Sequence, residues 1–339
     1  MDDAPLPASV QRRAKLFDQP ECRAAIAIAA QAPSEWRRLC SSVHRVELCN
    51  GNVQQVVHDR NRSMAYVHNQ KSGSQAIGAS FSAFIAQNQQ GSTSQNPFNP
   101  SAGRNWLLRP PTLYSTFSRT SAAGIVFSFV RDPSQMALAA YMDILQRASP
   151  AWQMQAQSGG YGAAFQEVSA NLRELFGRDE VGPDSCEDEL HATRQYRRYL
   201  EALLNRTLLG YELFHAFPQA HKLDHVQPKE ETASAGGLRY DAIGTLESLA
   251  HDVEQVGALI QSSRSAQSTT SSQRPWQLGP AASLGKHSTK GLSCANISAH
   301  DEHVQRLVCE LYRADFVCFG YHRGHCGATS MRAPLDGRI

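Results

Sequence analysis

Two short stretches of this chain carry residues suited to holding phosphates. The first is Lys71-Ser72-Gly73-Ser74, within residues 64–77, which read as a strand running into a small-residue loop and then a helix. A short, donor-rich turn ahead of a helix offers backbone N–H groups that collect a phosphate, and the Lys71 ammonium adds a point charge. An ordinary β–α turn with a solvated lysine has the same pattern, so this stretch alone decides nothing. A nucleotide triphosphate loop of the G-x-x-x-x-G-K-[ST] type is excluded, because its glycine positions are Ala65 and Gln70. The second stretch is 124–143. There Ile125, Val126, Phe127, Phe129 and Val130 predict a strand buried on both faces, as parallel strands are. Arg131 and Asp132 stand at its carboxyl end, where ligands bind in open α/β sheets. The arginine fork matches a phosphate, and Pro133 suits the first turn of the helix that follows.

Taken together, these stretches resemble the sulfotransferase superfamily. Lys71-Ser72-Gly73-Ser74 is similar to its 5′-phosphosulfate loop, P-K-[TVS]-[GA]-[SCG]-[ST]. Phe127-Ser128-Phe129-Val130-Arg131-Asp132-Pro133, continued to Tyr141, resembles its 3′-phosphate motif, F-x-F-V-R-[DE]-P-x-x-R-x-x-S-x-Y. Three further runs resemble the membrane-type carbohydrate sulfotransferases of the Golgi, in their chondroitin-type branch. These are His215-Ala-Phe-Pro-Gln219, then Tyr240-Asp-Ala-Ile-Gly-Thr-Leu-Glu247 with Asp252, and finally Leu311-Tyr312 with Asp315, Phe316, Phe319 and Tyr321.

The resemblance implies an α/β fold: a P-loop-like parallel sheet flanked by helices, in a single domain with low-complexity loop insertions. It also implies transfer of a sulfuryl group from 3′-phosphoadenosine 5′-phosphosulfate to a carbohydrate hydroxyl. The acceptor would be a glycan or proteoglycan. In that reading Lys71 stabilises the leaving phosphate, assisted by Ser72, Gly73, Ser74 and Gln75, and Arg131 holds the 3′-phosphate. His215 is the candidate base, with His68 as the backup. Asp241 and Glu247 support structure around the site. The chemistry requires no metal.

The chain also departs from the family pattern. Gln70 replaces the proline before the loop lysine, Gln75 the hydroxyl residue closing the loop, and Ala216 a tryptophan. Met136 and Ala139 stand at the arginine and serine positions of the second motif. A lost hydrogen bond to a charged group costs roughly 1.5–3 kcal/mol. Ser134, at the helix start, is the residue placed to compensate. These losses keep a second expectation open, a degenerate homologue that binds glycan or nucleotide without turnover.

The rest of the chain frames these motifs. Its 339 residues and 41% hydrophobic content suit one large α/β domain. A net charge of +2 gives no broad field to draw nucleic acid or an anionic membrane. No apolar run approaches the ~20 residues of a membrane span. Asp2, Asp3, Pro5 and Pro7 depart from a signal-peptide pattern, so a Golgi-lumen location rests on the resemblance. Eight cysteines permit disulfides, and their spacing lacks the C-x-x-C pair of a zinc site. Sequons occur at Asn61, Asn205 and Asn296.

The expected organisation is a peripheral helical segment over 1–45, a sulfotransferase-like domain over 46–325, and a tail over 326–339. Short strands are expected at 46–48 and 53–57, and helices near 163–175 and 193–209. The Gln/Ser/Asn-rich tract 88–102 and the Ser/Thr/Gln tract 262–272 read as loops. A strand at 240–243 precedes a helix with Thr245 as its N-cap, on which Leu246, Leu249, Val253, Val256 and Ile260 share a face. A last helix spans 304–312, and Phe316, Phe319 and Tyr321 are expected in the core.

Overall fold

In the computed structural model of the chain, the residues described are 9–29, 56–58, 64–67, 69, 72–73, 77–78, 80–81, 83–85, 124–149, 162–177, 188–205, 207–208, 215–224, 239–265, 276, 297 and 301–321. They fall in two compact units, Met1–Asp132 with Gln219–Ser288 and Pro133–Pro218 with Thr289–Ile339. The strands are β1 (Val56–His58), β2 (Met64–Val67), β3 (Ile125–Val130) and β4 (Ala242–Thr245). The helices are α1 (Ser9–Phe17), α2 (Pro20–Ala29), α3 (Pro133–Ala148), α4 (Gly162–Phe176), α5 (Glu189–Leu204), α6 (Gln219–Asp224), α7 (Leu249–Ser265), α8 (Glu302–Leu311) and α9 (Arg313–Phe319).

The first unit is built on one sheet in the order β1-β2-β3-β4. β1 pairs antiparallel with β2, whereas β2–β3 and β3–β4 are parallel. All of β2 and β4, and all of β3 after Ile125, is buried, which is why these strands read as unbroken apolar runs. Strand alternation puts Met64, Tyr66, Phe127, Phe129 and Ala242 into one core cluster. Tyr66 and Phe127 are register partners, and their rings stack at 5.5 Å. Trp276 packs on Phe127 and Phe81 at 5.4 and 5.3 Å, and its indole N–H donates to Ser80 Oγ at 3.2 Å. Gly244 faces Phe129 across the β3–β4 pair, and a Cβ there would lie 2.3 Å from the ring.

Three expectations need correction here. The segment before residue 45 is not peripheral where it is described: α1 buries Val10, Ala14 and Phe17. Arg13 Nε donates to Ile243 O at 2.8 Å, and its guanidinium pairs with the buried Asp252. Thr245 is not an N-cap but the last residue of β4, because Leu246 N donates to Val130 O and carries the ladder past it. Its N–H and hydroxyl are both held by Asp252 Oδ2, at 2.7 and 3.1 Å. The tract beginning at Ser262 is still helical through Ser265. The expected strand at 53–57 is found at Val56–His58, and the helix expected to reach residue 209 ends at Leu204. The tract 88–102 and residues 46–48 lie outside the described residues.

The second unit is helical among its described residues. α3, α4, α5 and α8 share a core that includes Met136, Tyr141, Leu145, Leu172, Tyr199, Leu200, Val308 and Tyr312. Asp188 caps α5 by accepting from Leu190 N, and Asp301 caps α8 by accepting from Val304 N, each satisfying an otherwise orphaned donor. Phe316 and Phe319 are buried, and Tyr321 packs half-buried against the same core. Cys22 in the first unit and Cys309 and Cys318 in the second are disulfide-bonded.

Candidate donor site at the carboxyl edge of the sheet

Because β2 and β3 run parallel, the segments that leave them emerge at the same edge of the sheet. From β2 the chain passes through the buried Asn69 to a turn at Ser72 and Gly73. Gly73 has φ of +69°, in the left-handed region that favours glycine, and a Cβ there would press to 2.8 Å on Leu246 Cδ1. Ile77 N donates to Gly73 O at 3.1 Å, which ties Ile77 back to the turn. From β3 the chain passes to the half-buried Arg131.

Side chains tie these two exits together. Gln219 Oε1 accepts from Arg131 N at 2.8 Å, and Gln219 Nε2 donates to Arg131 O at 2.7 Å. Asn69 Nδ2 donates to Phe129 O at 3.2 Å and to Gln219 Oε1 at 3.3 Å. Ser72 Oγ donates to Asn69 O at 2.5 Å. The Ser72 hydroxyl proton is therefore committed to a buried carbonyl within the loop, and what Ser72 can offer a ligand is its backbone N–H.

The acidic residues of the 240–252 stretch fasten the same strand. Asp241 Oδ2 accepts from Val126 N at 2.8 Å near the start of β3, and Glu247 Oε1 accepts from Asp132 N at 2.9 Å just beyond its end. Asp252 fixes the end of β4. These carboxylates are engaged with backbone and hold the strand that delivers Arg131.

A sequence model described as the sulfotransferase family matches residues 54–322. The chain belongs to the sulfotransferase family. No curated protein and no solved structure gives a match. The α/β architecture, with its small parallel sheet flanked by helices, accords with a sulfotransferase fold, and family membership supports a role in sulfuryl transfer.

The remaining expected site residues of this sulfotransferase are distributed as follows. Lys71, Ser74, Gln75 and His68 lie outside the described residues. Ser134 is exposed in the first turn of α3. Met136 is fully buried in the core of the second unit, and Tyr141 packs there with ring centroids 5.0 Å from both Tyr196 and Tyr199. Burial pushes the Tyr141 phenol well above its ordinary pKa, so it stays neutral. His215, in the second unit, is buried with Nδ1 3.4 Å from Asp143 Oδ2. Asp143 is in turn gripped by Arg147 through Nε at 2.5 Å and a second nitrogen at 3.3 Å.

Sequence reasoning missed Asn69, Gln219 and Asp143 as contributors. Gln219 had a signal, since it ends the His215–Gln219 motif. Asn69 and Asp143 had none beyond adjacency to a loop and a helix turn. Among the described residues no group of three or more His, Cys, Asp and Glu is arranged to hold a metal, and no helix is long and apolar enough to cross a membrane.

Proposed function

We propose that this sulfotransferase moves a sulfuryl group from 3′-phosphoadenosine 5′-phosphosulfate to a hydroxyl of a glycan or proteoglycan. The observation that carries this reading is the shared exit of the Gly73 loop and Arg131 at one sheet edge, tied by Asn69 and Gln219. Two anion-holding elements fixed side by side suit a donor with phosphate groups at two positions of one ribose. Lys71 and the backbone N–H groups of Ser72, Gly73, Ser74 and Gln75 hold the 5′-phosphosulfate and neutralise the leaving phosphate. Arg131 holds the 3′-phosphate by charge-assisted hydrogen bonds.

In the transfer, the acceptor oxygen forms a bond to sulfur as the bond from sulfur to the phosphate oxygen breaks. The acceptor proton goes to a general base, for which the family resemblance offers His215, and 3′-phosphoadenosine 5′-phosphate leaves. Imidazole is suited to that proton by its ordinary pKa. A carbohydrate acceptor is supported by the resemblance of the stretches 215–219, 240–252 and 311–321 to carbohydrate sulfotransferases. A Golgi-lumen location is supported by the disulfide-bonded Cys22, Cys309 and Cys318, which suit an oxidising compartment, and by the exposed Asn205 of a sequon. The second reading, binding without turnover, draws on Met136, whose side chain is committed to the core.

The test is transfer of labelled sulfuryl from the donor to a panel of desulfated glycans by wild type and Lys71→Ala. Labelled glycan with wild type, and none with an equally stable Lys71→Ala, supports the proposal. Nucleotide binding with no labelled product on any acceptor supports the binding-only reading instead.

A further inference from the structure

At its carboxyl end, β3 runs past the β2 register, while β4 keeps level with it to Thr245 opposite Val130. On the β4 side the last ladder bond runs from Leu246 N to Val130 O, and on the β2 side the register ends at Val67 opposite Ser128. Past that register, Phe129 O, Arg131 N and Arg131 O are bonded by side chains. Asn69 reaches Phe129 O, and the carboxamide of Gln219 pairs with both backbone groups of Arg131, as a strand residue would. Gln219, Asn69 and Ser72 are all 0% exposed, so these bonds are made away from water, where an unmade partner is costly. The result is one buried chain from the Gly73 loop through Ser72, Asn69 and Gln219 to Arg131.

We infer that Gln219 is a positioning residue that sets the separation between the two phosphate-holding segments, and so gives the site its selectivity for a nucleotide phosphorylated at both the 3′ and 5′ positions. This inference rests on the donor site proposed above. Gln219 touches backbone and not ligand in this role; it acts through Arg131. Removing its side chain takes away two bonds to the Arg131 backbone while leaving the Gly73 turn, Ile77 N–Gly73 O and the β2–β3 ladder in place. The 5′ half of the nucleotide then keeps its site, and the 3′-phosphate loses a fixed partner.

The test is the ratio of dissociation constants for adenosine 5′-phosphate and adenosine 3′,5′-bisphosphate, by calorimetry, in the full chain. Gln219→Ala is expected to lower that ratio by about tenfold or more, the scale of one hydrogen bond to a charged group, with adenosine 5′-phosphate binding changed less than about threefold. Gln219→Glu has the same shape, keeps an acceptor for Arg131 N and loses the donor to Arg131 O. It is expected to lower the ratio too, and it carries the test if the alanine variant does not fold. A general loss of stability would weaken both nucleotides alike and leave the ratio unchanged. Folded variants with the wild-type ratio overturn the role of Gln219 alone. A wild type that binds the bisphosphate no better than the monophosphate overturns the donor site itself, and this inference with it.

Discussion

Gly244→Ala tests the packing that aims Arg131. Gly244 is paired with Phe129, two residues before Arg131. A Cβ at Gly244 would lie 2.3 Å from Phe129 Cε1, 2.5 Å from Cδ1 and 2.9 Å from Cζ. The ring cannot simply retreat, because Phe129 is fully buried and its centroid is 6.3–6.4 Å from those of Phe127, Tyr66 and Trp276. Overpacking costs typically about 1–3 kcal/mol, and three approaches under 3 Å place this one near the top of that range. Replacing glycine by alanine returns roughly 0.4–1 kcal/mol by restricting the unfolded chain. The net expectation is a loss of about 2 kcal/mol, or a fall in Tm of roughly 3 °C for a chain of 339 residues. Urea unfolding followed by circular dichroism and tryptophan fluorescence measures it. Phe129→Leu removes ring atoms that the new methyl would strike, so the double variant should recover at least about 1 kcal/mol relative to additivity. A Gly244→Ala protein within about 0.5 kcal/mol of wild type, with no coupling to Phe129→Leu, would refute the steric argument.

Other expectations follow from single residues. Asp252→Ala should destabilise by about 3–5 kcal/mol, because it leaves the Arg13 guanidinium and the Thr245 N–H without their buried carboxylate; chemical denaturation checks it. Gly73→Ala forces a left-handed backbone at roughly 1–2 kcal/mol and crowds Leu246. It should weaken nucleotide binding in calorimetry while the rest of the fold melts nearly as wild type. His215→Ala should lower kcat by about 10²–10⁴ with unchanged nucleotide affinity; an unchanged kcat removes His215 from the proton transfer. Reducing agent should lower Tm, since a native disulfide contributes typically about 2–4 kcal/mol.

What the sequence could say about this fold depended on whether a signal was local. β3 was readable residue for residue, because a strand buried on both faces leaves an apolar run that Arg131-Asp132-Pro133 terminates. The apolar face of α7 was readable, but not its start. Leu246 fits the helical period, yet its N–H is taken by Val130 O, a partner 116 positions away that no local pattern reveals. Likewise the basic, alanine-rich N-terminal segment reads as peripheral until Asp252 supplies a buried partner for Arg13. In the site, the loop and the arginine were legible as motifs. The bonds joining them were not, because Asn69 and Gln219 are 150 residues apart and neither has a chemistry that singles it out.

The most direct measurement is calorimetric titration of the purified chain with 3′-phosphoadenosine 5′-phosphate, alongside Lys71→Ala and Arg131→Ala. Micromolar binding by wild type, about −8 kcal/mol, lost or greatly weakened in both variants, is the predicted result. A folded wild type that does not bind, or variants that bind as well as wild type, would contradict a donor site at the carboxyl edge of β2 and β3.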